Sequence, residues 1–392
     1  ISSGRHSGMI PPTFTTSDQF GLGLQRGGYY KVLNDHFDAS LTGDIYTYGG
    51  WAVYFEPQYR VRYRYNGRLA FTMQRTRILG SDPKQDFLDT KTFNLNWSHS
   101  VDAKARPGQT FSANVNAGST KFNQYSLTNS LRPYTNQLSS SVTYSKTWGS
   151  NYNMTVSANH SQNSVSGLVN VSLPNLSFTA TTMYPFQKKE FVGGTPKWYE
   201  KLGIGLNTNF VNQVSFYDSL FSFKRLIDTM AWGAQHSVPI QMALPPLGPI
   251  QISPGISYQE RWFSRQIIRS WNAAKEKVDT VINKGFYTAR EVSFSLSMNT
   301  ALFGKLEKFG KNSRVQAIRH VVRPNVSLNY KPDMNHDNFD YIMVNKNDST
   351  VRALSRYEGG VFSGFSAGRF GGISFGIDNN LEMKVKSKKD TG

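Results

Sequence analysis

Arg60, Arg62 and Arg64 are the residues of this chain whose spacing first suggests chemistry. They alternate with Tyr59, Val61, Tyr63 and Tyr65, so an extended strand would carry three guanidiniums on one face and aromatic rings on the other. A guanidinium holds a phosphate through two parallel N–H donors, which makes such a face a candidate anion site. The competing account is a solvated basic strand end beside a membrane surface. Other constellations are weaker. The histidines His6, His36, His99, His160, His236, His320 and His336 sit among many Ser and Asp residues as chance would place them, and His99 and His160 have no carboxylate at an informative spacing. Cysteine is absent, which removes thiolate metal ligands and disulfides. Asp333, His336, Asp337 and Asp340 have cation-binding side chains, yet a solvated polar loop explains them as well. Gly359–Gly372 is glycine-rich but leads into no Lys-Ser/Thr pair or helix, so it is not a phosphate-binding loop. The residues point to no enzyme and no cofactor.

The elements that would position these residues are strands. In Phe37–Tyr48 the apolar Phe37, Ala39, Leu41 and Ile45 alternate with Asp38, Ser40, Thr42 and Asp44. The same period of two recurs in Tyr152–Asn159, Val292–Asn299 and Ile373–Lys386, where Lys384 and Lys386 fall on the polar side. Alternation of this kind predicts about sixteen strands. Many run to twelve residues or more, whereas strands of globular proteins average about five or six. A tilted strand needs about 9–11 residues to cross a bilayer core. In Leu168–Tyr184 the apolar parity shifts at Pro174, which predicts a β-bulge within one strand.

The connections sort by length. Gly80–Thr90, Ser119–Asn136, Asp218–Met230, Ser264–Phe286 and Lys331–Gly371 are long, while Asn34–His36, Asn66–Gly67 and Gly149–Ser150 are short. Pro185–Tyr199 breaks the alternation of long with short. Outer-membrane barrels carry short periplasmic turns and longer extracellular loops, which would put the long connections outside. Within Ser264–Phe286, Ala273–Thr280 is the segment most suited to a helix. No apolar run reaches the ~18 residues of a membrane helix, a test that a barrel escapes because only alternate residues meet lipid. Trp51, Trp97, Trp148, Trp198 and Trp262 lie near strand ends, as interfacial girdle residues or as core. The predicted class is therefore all-β, a transmembrane antiparallel β-barrel.

The net charge, 44 − 26 = +18, favours anionic partners. No aromatic RNA-binding strand, helix-turn-helix or zinc motif supports nucleic acid. Anionic lipid or lipopolysaccharide fits better. The start at Ile1, without Met or signal peptide, predicts a mature fragment or the interior of a longer precursor.

Specific segments carry a family resemblance. Ser7-Gly8-Met9-Ile10-x-Pro12, Gly28-Tyr29-Tyr30 and Asp38-x-Ser40-Leu41-Thr42-Gly43-Asp44-Ile45-Tyr46 resemble the start of the barrel of the LptD family, in its Bacteroidota branch. Trp97-Ser98-His99, Phe111–Gly118, Ser157–Asn163, Pro196–Lys201, Ala317–Val321 and Asn379–Val385 extend the similarity in order along the chain. The family is an outer-membrane lipopolysaccharide-assembly translocon of Gram-negative bacteria. The resemblance implies a barrel of about two dozen strands around an LptE-type plug lipoprotein. It further implies a jellyroll that receives lipopolysaccharide from a periplasmic bridge, and lateral exit of the lipid into the outer leaflet. Residues 1–392 would be part of the barrel domain alone, lacking the jellyroll and the C-terminal strands. A porin or nutrient transporter is the alternative, since alternation and loop lengths would look the same.

The resemblance also nominates residues. The family carries a proline in its first strand, which maps to Pro11 and Pro12. A second family proline is replaced by Gly27 and Gly28. These four are the expected lateral gate, because proline removes a ladder donor and glycine weakens a strand. Arg60, Arg62, Arg64, Asp38, Asp44, Lys384 and Lys386 are the expected lumen-facing or lipopolysaccharide-facing residues.

Overall fold

Period-two alternation becomes antiparallel ladder almost everywhere it occurs. The computed structural model describes residues 4–79, 87–119, 122, 137–188, 197–217, 223–242, 244–307, 309–310, 313–345 and 348–386. Among these, the chain forms twenty strands, one short α-helix, α1 (Phe223–Thr229), and two 3-10 turns, Trp198–Lys201 and His336–Asn338. Two compact units divide it: residues 1–178 with 210–232, and residues 179–209 with 233–392.

The first unit opens with two short strands, β1 (Gly8–Ile10) and β2 (Thr13–Ser17), which both pair with β3 (Gly21–Asn34). From β3 the ladder passes in chain order through β4 (Phe37–Tyr46), β5 (Trp51–Val61), β6 (Tyr65–Leu79) and β7 (Phe87–Val101). It continues through β8 (Gln109–Gly118), β9 (Gln137–Trp148) and β10 (Tyr152–Asn163). Strands β11 (Leu168–Met183) and β12 (Leu202–Tyr217) each contribute residues to both units. β11 runs through Pro174 as one strand, with a cis Leu173–Pro174 peptide.

Burial in this unit is inverted relative to a water-soluble sheet. Asp38, Thr42 and Asp44 of β4, Gln74 and Thr76 of β6, and Thr92 and Asn94 of β7 are buried. Leu41, Ile45, Val53, Phe55, Met73 and Phe93, on the opposite parity, are exposed. A soluble sheet would turn those apolar residues inward. A barrel wall in lipid does the reverse.

The second unit is built on β13 (Ala231–Met242), β14 (Ile250–Asn272) and β15 (Lys277–Thr300). One edge of β17 (Val315–Lys331) takes β15 and the short β16 (Leu302–Leu306), and its other edge takes β20 (Phe370–Val385). Between β17 and β20 a separate hairpin forms from β18 (Phe339–Asn345) and β19 (Asp348–Ser355).

Two expectations are corrected here. Ser264–Phe286 is not a loop containing a helix but the outer part of the β14–β15 hairpin, paired to Asn272↔Lys277. The Ala-Ala-Lys-Glu-Lys turn ends in the pairing-competent Val278, Thr280, Val281 and Ile282, and the Asn272 side chain accepts the Ala274 and Lys275 N–H groups. Tertiary pairing thus overrides local helix propensity. The described residues of the long connection after β17 likewise include paired strands, and they pack on β14. β13 covers β14 no further than Phe263, which would leave ladder donors unsatisfied beyond that point. The Ile267 N–H donates to the Arg356 carbonyl at 2.7 Å, and the Arg269 N–H donates to the Asp340 carboxylate at 2.7 Å.

Three arginines complete this attachment. Arg261 donates to the Ser363 carbonyl at 2.6 Å, Arg265 to Gly359 at 2.6 Å and Arg269 to Ser355 at 3.0 Å. Each step of four along β14 meets a step of four backwards along the connection, so the two segments run antiparallel in constant register. The Phe263 and Tyr357 rings stack with centroids 3.9 Å apart, and Ala289 and Phe365 complete a small core. Burial raises the Tyr357 phenol above its ordinary pKa. Asp340 accepts from Arg356 at 2.8 Å, and Asp333 accepts the Asn335 N–H, which holds the Asp333 carboxyl below its usual range. These carboxylates serve the connection itself, and no His/Asp/Glu group with metal-holding geometry occurs among the described residues.

Tyr357→Ala should remove about 3–5 kcal/mol of packing from this attachment. Limited trypsin digestion of the folded protein should then cut within residues 332–369 at a much higher rate, leaving the β14–β15 hairpin intact. Unchanged cleavage would show that the arginines suffice alone.

Candidate functional site

The most irregular part of the first unit is where its first strand is broken. β1 and β2 keep one register against β3, from Gly8↔Tyr30 through Ile10↔Gly28 to Thr13↔Gln25 and Ser17↔Gly21. Pro11 and Pro12 fall in the gap and face Gly27 and Arg26. Proline has no N–H, so at this level the strand loses one donor toward β3 and one toward its other edge.

The opposite edge of β3 is disturbed at the same level. Its register against β4 shifts between Leu24↔Ile45 and Gly27↔Gly43, leaving Gln25 and Arg26 as a bulge. Arg26 has φ +57°, and its N–H turns from the ladder to the Asp44 carboxylate at 2.7 Å. The outward-facing parity changes accordingly, from Leu22 and Leu24 to Tyr29 and Leu33, all exposed. On the first strand it changes in step, between Met9 and Phe14. One irregularity therefore crosses two strands and is closed by a side chain of a third.

A polar cluster supports that closure. Asp44, 1% exposed, also accepts the Tyr54 hydroxyl at 2.7 Å. The Arg26 guanidinium lies 3.7 Å above the Tyr54 ring and 3.5 Å from Glu56, which Arg68 also approaches at 3.3 Å. Asp38 is as deeply buried as Asp44 and pairs with Arg5 at 2.5 Å. The Ser7 hydroxyl accepts the Val32 N–H at 2.8 Å, so the segment before β1 is fixed to β3 as well.

The glycines have separable roles. A Cβ on Gly28 would lie 2.1 Å from the Leu41 carbonyl oxygen, so Gly28 permits the close approach of β3 and β4. A Cβ on Gly27 would meet Pro12 at 3.0 Å, which places Gly27 against the broken strand. Pro11, Pro12, Gly27, Gly28, Asp38 and Asp44 are thus gathered into one region.

The arginine trio is not gathered as expected. Arg60 is on β5, at the end of its polar face. Arg62 and Arg64 lie instead in the β5–β6 turn, where Tyr63 has φ +58° and the Arg64 N–H donates to the Val61 carbonyl at 3.1 Å. The three do not share a strand face, because a left-handed residue in their midst reverses the chain. Lys384 and Lys386 are exposed at the end of β20 in the second unit. Arg5, Arg26, Tyr54 and Glu56 were not anticipated as site residues. The parity switch in Leu22–Leu33 was the available signal for the Arg26 bulge.

Among the described residues no catalytic arrangement accompanies the cluster. His99 Nδ1 and the Tyr59 hydroxyl share a hydrogen bond at 2.7 Å, with Trp97 donating to Tyr59 at 3.1 Å. His160 and His236 contact Ser140 and Thr208 respectively.

A comparison with protein-family models matches residues 1–392 to the family described as LptD protein. The chain belongs to the LptD family. LptD proteins are outer-membrane β-barrels of lipopolysaccharide transport, a transport and assembly role and not an enzymatic one, and the all-β antiparallel structure accords with this. A search of curated proteins finds no match. Among solved structures, a bacterial polysaccharide outer membrane secretin aligns at 7% identity and TM-score 0.25, over 83% of this chain and 89% of its own. A double mutant of the Serratia marcescens hemophore receptor HasR, in complex with its hemophore HasA and heme, aligns at 9% identity and TM-score 0.24. That alignment covers 99% of this chain and 64% of the receptor chain.

Gly28→Ala should cost about 1–3 kcal/mol through backbone overcrowding, and Gly27→Ala, which meets only the Pro12 ring, should cost less. Asp44→Ala should cost about 2–3 kcal/mol by stranding the Arg26 and Tyr54 donors. Urea unfolding of vesicle-reconstituted protein gives the ranking; equal midpoints for the two glycine variants would refute the separation.

Proposed function

We propose that this chain forms the opening side of a lateral gate through which lipopolysaccharide leaves a translocon for the outer leaflet. The observation that carries the reading is the coincidence of Pro11–Pro12 with the Arg26 bulge, which thins the ladder on both edges of β3 at one level. In lipid, every separated backbone pair leaves polar groups without water, so a seam that must open repeatedly needs few pairs to begin with. The Asp44–Tyr54–Arg26 cluster would keep the rest of the wall intact while the first strand moves. The sugar would pass along the polar face lined by Asp38 and Asp44, with Arg60 placed for phosphate contact, and the acyl chains would pass through the seam. Lys384 and Lys386 would belong to the polar wall farther along the chain.

In this reading residues 1–392 are the N-terminal part of a larger barrel in a Gram-negative outer membrane. A jellyroll would precede it, an LptE-type lipoprotein would plug it, and a periplasmic bridge would supply lipopolysaccharide and the driving force.

A Met9→Cys variant of the full-length protein, cross-linked to a cysteine in the closing strand, should block appearance of new surface lipopolysaccharide, and reduction should restore it. The described chain has no native cysteine to interfere. Normal export with the seam locked would rule out lateral exit. Depletion that leaves lipopolysaccharide export intact and slows only solute uptake would favour a porin.

A further inference from the structure

The outward face of β5–β8 carries a second feature, independent of the gate. Tyr59, Tyr65, Trp97, His99 and Phe111 pack side by side on the parity that also presents Val53, Phe55 and Phe93 to the exterior. Gly67 leaves space for the Tyr59 ring, since a Cβ there would lie 2.3 Å from it. Aromatic rings in this position mark the level of the membrane interface. Trp97 donates to the Tyr59 oxygen, and the Tyr59 hydroxyl is hydrogen-bonded to His99 Nδ1. The belt is therefore internally bonded.

Immediately beyond the belt, the short β5–β6 and β7–β8 turns are joined by the Asp102 N–H, which donates to the Arg64 carbonyl at 2.8 Å. Between them lies a groove of about 440 Å³, with Arg64 and Arg106 on its rim and Tyr65, Phe111 and Tyr144 on its wall. No carboxylate lines it; Arg64 also borders the neighbouring depression, where Arg60, Arg62 and Asp102 lie. Among the described residues, neither Arg64 nor Arg106 has an ion-pair partner. Two exposed guanidiniums above an apolar aromatic wall match a phosphate attached to acyl chains, not a free anion. Short turns of outer-membrane barrels face the periplasm, where the adjoining leaflet is phospholipid.

We propose that this groove binds the phosphate headgroup of an anionic phospholipid of the inner leaflet. The guanidiniums hold the phosphate, Gln109 supplies a further polar contact, and the acyl chains run along the aromatic belt. Arg64, which left the expected strand face, thereby acquires a role outside the lumen.

The test uses protein in phosphatidylcholine nanodiscs containing phosphatidylglycerol, with lipids retained on release counted by native mass spectrometry. Wild-type protein should retain phosphatidylglycerol over phosphatidylcholine. Arg64→Gln with Arg106→Gln should lower that retention roughly tenfold, while Lys275→Gln, in the β14–β15 turn, should leave it unchanged. Heat-modifiable electrophoretic mobility confirms that the variants fold. The corresponding double Lys variant should keep the larger part of the retention. Equal retention of both lipids by the wild type, or unchanged retention in the double Gln variant, would overturn the proposal. Displacement of phosphatidylglycerol by inorganic phosphate alone, or by lipid A at lower concentration, would overturn the assignment to a phospholipid.

Discussion

A backbone inside a bilayer must satisfy its own hydrogen bonds, and this constraint shapes every other feature of the chain. It forces long strands into an antiparallel ladder and leaves side-chain chemistry to be divided between two faces. With lipid on one side, the apolar residues have no reason to hide. Asp38, Asp44, Gln74 and Asn94 are therefore buried while Leu41, Ile45 and Phe93 are exposed. Stability in such a wall comes mainly from paired backbone and from polar side chains that satisfy one another.

The broken first strand is informative because it departs from that rule. Pro11 and Pro12 remove donors, and Arg26 withdraws another from the adjoining ladder. The orphaned Arg26 N–H is received by Asp44, whose other oxygen is held by Tyr54. A buried carboxylate thus does the work of a missing carbonyl. The irregularity crosses the first strand and β3, and side chains of β4 and β5 satisfy what it leaves open.

Much of this was legible in the sequence because a period of two is a direct statement about faces. Phe37–Tyr46 and Tyr152–Asn163 are strands almost to the predicted residue. Failures came where the backbone changed hand or where a distant segment supplied the pairing. Tyr63, at φ +58°, moved Arg62 and Arg64 off the strand, and nothing in a Tyr-Arg alternation announces a left-handed tyrosine. Lys277–Thr288 became strand because β14 extended to meet it, against the helix preference of the Ala-Ala-Lys-Glu turn. The bulge at Arg26 was encoded in the parity change from Leu24 to Tyr29. Its partner Asp44 follows only from register, which no single strand reveals. The roles of Gly27 and Gly28 separate only when their neighbours are in place.

The three arginines of β14 grip carbonyl oxygens at Ser355, Gly359 and Ser363. Every residue type offers a carbonyl, so these three bonds dictate the route of the segment and not its outward side chains. Such a fastening decouples shape from surface identity. Outward positions between the anchors, unlike the inward Tyr357, are free to drift under selection while the connection keeps the same path over the sheet.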